Sequence, residues 1–103
     1  NIPMTKPINK TSLYNVNRLI DSYMQYSNKE FGNDHEMSEM YAADRNDFID
    51  VRDMYRAGTY EDMAEKVRYM DTAPREDIVI ALAKDVGAPF VRDTLGWEVS
   101  GWV

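Results

Sequence analysis

A chain of 103 residues has room for one domain with a single core, and a hydrophobic share of 44% is enough to fill it. Twelve basic residues against eighteen acidic ones give a net charge of −6, which repels phosphate backbones and argues against direct nucleic-acid binding. The absence of cysteine excludes a disulfide framework, a thiolate zinc site and a cysteine nucleophile; it agrees with a cytoplasmic location, as does the lack of a signal segment or any apolar run near the ~18 residues of a membrane span.

Taken in order, residues 1–10 hold two prolines and little apolar periodicity, so they read as a flexible arm ahead of one helical domain at 11–103. Met4 has the look of a natural start, and residues 1–3 then read as an expression remnant. Thr11 or Ser12 is placed to cap a first helix that runs to about residue 30 and stops at Gly32. Leu13, Val16, Ile20 and Tyr23 give it an inward stripe at spacings of three and four. Asn33 or Asp34 caps the longest helix, predicted over residues 35–57 with Gly58 as its stop. Its apolar stripe includes Tyr41, Phe48, Val51 and Tyr55, but Asp44 falls inside that stripe and needs a cation, partial exposure or a docked partner.

Thr59 and Asp62 resemble a capping box and open a short helix to about Met70, with Tyr60, Met63, Val67 and Met70 facing inward. Residues 78–83, Ile-Val-Ile-Ala-Leu-Ala, are apolar in every direction around a helix axis, the mark of a helix buried on several sides. Three β-branched residues there also suit a buried strand. Asp71 or Thr72 as cap, Pro74 in the first turn, Lys84 near the end and Gly87 beyond it favour a helix over 72–86, the centre of the fold. Pro89 starts a last short helix that ends before Gly96, and the tail 97–103 alternates in the manner of an extended segment. The expected fold is therefore an all-α bundle of four or five helices around the helix at 72–86, with a short extended C-terminal tail.

Catalytic signals are sparse. His35 is the only histidine, no serine stands on a nucleophile elbow, and His35 reads as a solvated first-turn residue. His35 and Glu39 have i, i+4 metal-ligand spacing with Glu36 nearby, but ligands from one helix alone do not complete a site. No glycine-rich phosphate cradle exists, so neither cofactor nor metal is expected.

Charge and aromatic placement carry more. Asp44, Asp47, Asp50 and Asp53 recur every third residue after Glu36 and Glu39, a graded acidic stripe diluted by Arg45, Arg52 and Arg56. It is either a solvated face laced with ion pairs, such as Asp53 with Arg52 and Arg56, or a docking face for a partner protein. The abundant methionines suit core filling at inward helical positions. Trp97 reads as core, and Trp102, next to the end of the chain, as core or anchor for another chain. Short, acidic, cysteine-free chains rich in Tyr, Asn, Asp and Met resemble small phage-encoded accessory proteins that bind host proteins, a likeness of composition carried by no motif. The expected function is a non-enzymatic interaction module that binds and modulates another protein through Glu36, Glu39, Asp44, Asp47, Asp50, Asp53, Trp97 and Trp102. The alternative is a nucleic-acid mimic that blocks a DNA- or RNA-binding protein; leftover apolar surface on the long helix also leaves room for a homodimer.

Overall fold

A computed structural model describes residues 11–30 and 35–102. The expected arm at 1–10, the stop at Gly32 and the caps at Asn33 and Asp34 lie outside the described residues. Among those described, the secondary structure is entirely helical: α1 Tyr14–Gln25, continued by a π-helical turn over Tyr26–Glu30, then α2 His35–Ala57, α3 Tyr60–Arg68, α4 Thr72–Val86 and α5 Ala88–Leu95. No described helix is long and apolar enough to cross a membrane.

The helices close a ring in which α1 packs on α2, α2 on α3, α3 on α5, α5 on α4 and α4 back on α1. Their inward residues meet in one core that includes Leu13, Val16, Phe48, Met63, Ile78 and Leu82, all fully buried. The central position expected of α4 shows in its burial, since Ile78, Val79, Ala81, Leu82 and Ala83 are all inside. At one end Tyr23 meets Phe48 edge-on at 4.7 Å between ring centroids, and at the other Phe90 meets Tyr55 and Tyr60 at 5.4 and 5.2 Å. Edge-on geometry brings the positive ring edge to the negative ring face, so these contacts add to simple area burial.

The start of α1 departs from expectation. The cap position falls one residue past Ser12, on Leu13, which sits in the left-handed region, φ 55° and ψ 45°, with its side chain fully buried. Asp85, in the last turn of α4, takes over the capping role. Its carboxylate accepts the backbone N–H of Asn15 at 2.9 Å, that of Val16 at 2.9 Å and the side-chain amide of Asn15 at 2.8 Å. A carboxylate at its own helix's C-terminus faces the negative end of the dipole, and the free amides and positive end of α1 offset that cost.

Eight residues forward in α1 and eight back in α4, the Tyr23 hydroxyl donates to Asp77 at 2.6 Å. These two polar rungs join α1 and α4, which run antiparallel, at two levels eight residues apart.

The capping box does not form either. Thr59 makes no side-chain cap bond to α3, and its hydroxyl donates instead to the Met54 carbonyl at 3.2 Å, closing the end of α2. Gly58, at φ 78°, makes the turn that folds α3 back along α2. Gly87 ends α4 and starts α5 within one residue at φ 101°, a conformation that an L side chain resists. The tail runs irregularly through Val99, which is buried to 1%, and then turns rather than extending: the Trp102 amide donates back to the Val99 carbonyl at 2.8 Å. Methionines divide. Met63 and Met70 fill the core as expected, whereas Met24 and Met40 are exposed.

Candidate functional site

Because α2 and α3 are joined by the tight turn at Gly58, residues equidistant from that glycine face one another. Met54 comes opposite Asp62, Asp50 opposite Lys66 and Asp47 opposite Tyr69. All of these positions but Asp50, together with Glu65 and Met70, line a groove of about 410 Å³ between the two helices. The Lys66 ammonium lies 2.9 Å from Asp47 and 3.5 Å from Asp50. Its hydrogen bond to Asp47 is the main reason its pKa lies above the ordinary lysine value. Asp62 and Glu65 on α3 are exposed and have no ion-pair partner among the described residues. Three lining carboxylates, Asp47, Asp62 and Glu65, against one ammonium leave the groove two charges negative, and Asp50 adds a further carboxylate beside Lys66. Its apolar surface comes from Met54, Met70 and Tyr69, whose ring is 75% exposed.

The expected site residues separate accordingly. Asp47 enters the groove, and Asp50 reaches it only through its ion pair with Lys66. Asp53 is exposed on the outer face of α2, paired with its neighbour Arg52 at 3.1 Å instead of with Arg56 one turn away. Glu36 and Glu39 are exposed on the first turns of α2, and the side chain of His35 lies outside the described set. Asp44 lies outside the groove, half-buried and without an ion-pair partner among the described residues. Burial first, then the charges of Asp47, Asp71 and Asp77, hold its carboxyl above the usual range. Burial together with the bond to Asp77 likewise pushes the Tyr23 phenol up. No group of three or more His, Asp or Glu among the described residues is arranged to hold a metal ion.

Trp97 is half-buried and packs against the edge of the core, with the guanidinium of Arg75 over its ring at 4.9 Å. The same guanidinium donates to the carbonyls of Met70 and Arg68, at 3.3 and 3.5 Å, so it ties the tail to the end of α3 directly behind Tyr69. The Nε of Arg75 is buried without a hydrogen-bond partner among the described residues. Trp102 remains 56% exposed.

The acidic periodicity of α2 points to half of this groove; Asp62, Glu65, Lys66 and Tyr69 are the half it misses. A usable signal was present in the short α2–α3 connection, since mirroring the sequence about Gly58 pairs the two sets. No protein-family model, no curated protein and no solved structure matches the chain.

Proposed function

We propose that this chain is a non-enzymatic interaction module that receives a basic segment of another protein in the α2–α3 groove. The observation that carries the reading is the combination of two uncompensated carboxylates, Asp62 and Glu65, with the open ring of Tyr69. An arginine or lysine entering there meets a carboxylate for its charge, a π face for its cation and methionine surface for its stem. Asp47 and Asp50 add to the attraction but share Lys66, so they contribute less than two free acids. Trp102, exposed beyond the Trp97–Arg75 contact, is available as an apolar anchor for the same partner.

Imitation of a nucleic-acid backbone draws less support, because Lys66 sits between Asp47 and Asp50 and Asp44 is half-buried outside the groove. That reading asks for an unbroken carboxylate face.

The reading is tested by calorimetric titration with a blocked peptide alternating arginine and leucine, at low and high salt. Rim charge pairs contribute about 0.2–1 kcal/mol each, so Asp62→Asn and Glu65→Gln are each expected to weaken binding by a factor of roughly 1.4 to 5. Tyr69→Ala is expected to weaken it by a similar factor. Binding that is unchanged in all three variants, or unaffected by salt, removes the groove from the account.

A further inference from the structure

The outer side of the α1–α4 pair carries the opposite charge. Between the Asn15–Asp85 and Tyr23–Asp77 rungs lies a groove of about 220 Å³ with Arg18 on one wall and Lys84 on the other. Its floor is apolar, formed by Leu19, Ile80 and Ala81. Both cations are exposed, and neither has an ion-pair partner among the described residues; Arg18 only approaches the Tyr14 ring at 5.6 Å. Two unpaired cations facing one depression are unusual on a chain of net charge −6, where carboxylates are plentiful. Asp77, the one acid among the lining residues, and Asp85 beside Lys84 are already engaged by the rungs.

We propose that this groove is a receptor for a carboxylate side chain presented by a partner polypeptide, independent of the acidic groove on α2 and α3. Charge complementarity selects an anion. Arg18 and Lys84 against Asp77 leave a surplus of one positive charge among the lining residues, which suits one carboxylate better than a dianionic phosphate. Size and lining select its carrier. At about 220 Å³ the space falls below the roughly 300 Å³ at which small-molecule pockets begin, so it takes one or two side chains, with an apolar neighbour of the acid resting on Leu19 and Ile80.

The test is an NMR titration of the whole chain with the blocked tripeptide acetyl-leucyl-glutamyl-leucinamide, its glutaminyl counterpart and inorganic phosphate. The expected result is saturable shifts centred on Leu19, Ile80 and Ala81 with the glutamyl peptide. Binding should weaken roughly threefold or more with the glutaminyl peptide, and by a similar factor in Arg18→Gln and in Lys84→Gln. Both variants alter exposed side chains, and unchanged spectra elsewhere establish that the fold is intact. Shifts that do not saturate, equal binding of the two peptides, equal binding by the double variant, or full displacement of the peptide by equimolar phosphate would each overturn the proposal.

Discussion

Replacing Asp85 with alanine removes an acceptor that serves three donors at once, and the consequence for stability can be worked from the geometry. Two of the donors are backbone amides at the start of α1, which have no intrahelical partner, and the third is the Asn15 side chain. Loss of a helix cap costs about 0.5–2 kcal/mol, and a charge-assisted hydrogen bond at a partly buried site is worth about 1.5–3 kcal/mol. The sum is reduced because a frayed helix start also lets Leu13 leave its left-handed conformation, which stores on the order of 1 kcal/mol or more. The expected net loss is about 2–3 kcal/mol, a large part of the roughly 5–15 kcal/mol that holds a small domain folded. For a chain of this length that corresponds to a fall in Tm of roughly 10–20 °C. Asp85→Asn keeps one good acceptor and should lose about half as much. Ser12→Ala, at the position where the sequence alone places the cap, should change stability by less than about 0.5 kcal/mol. Urea unfolding followed by circular dichroism measures all three. An Asp85→Ala midpoint within error of Ser12→Ala would refute the capping of α1 from α4.

Other perturbations follow from the same contacts. The raised pKa of Asp44 means that its ionised form opposes folding; the penalty is absent below the unfolded-state pKa and fully present once the pH exceeds the folded-state value. Asp44→Asn should therefore stabilise the fold by a few tenths to about 1 kcal/mol at neutral pH and leave it unchanged below about pH 3.5, checked by urea midpoints at both values. Tyr23→Phe deletes the 2.6 Å bond to Asp77 while keeping the ring contacts, and should cost about 1–2 kcal/mol in the same assay. Lys66→Gln frees Asp47 and Asp50; it should move stability by less than about 1 kcal/mol and tighten binding of the arginine–leucine peptide, measured by calorimetry.

The long elements were legible because their signals are local. The stop at Gly58 and the all-round apolar run at 78–83 lie within the elements they define, and α2 and α4 fall where the sequence places them. The start of α1 was not legible, since its cap is 70 residues away and its entry residue is a leucine in a glycine-like conformation. Thr59 shows a subtler failure: a threonine hydroxyl can serve the helix before it or the one after it, and here the carbonyl of Met54 wins. Met24 and Met40 lie on the edge of their helices' apolar stripes, and periodicity cannot say whether a neighbour reaches that edge. The candidate groove was half legible for a similar reason. Periodicity finds Asp47 and Asp50 on one helix, but the meeting with Asp62, Glu65 and Tyr69 is a property of the pair.

The most direct test of the account is the location of binding. An amide-shift map of the chain titrated with the blocked arginine–leucine peptide should show its largest changes at Met54, Asp62, Glu65, Lys66 and Tyr69, and these should collapse in the Asp62→Asn, Glu65→Gln double variant. Changes centred elsewhere, or a map that the double variant leaves intact, would contradict the assignment of the α2–α3 groove as the docking site.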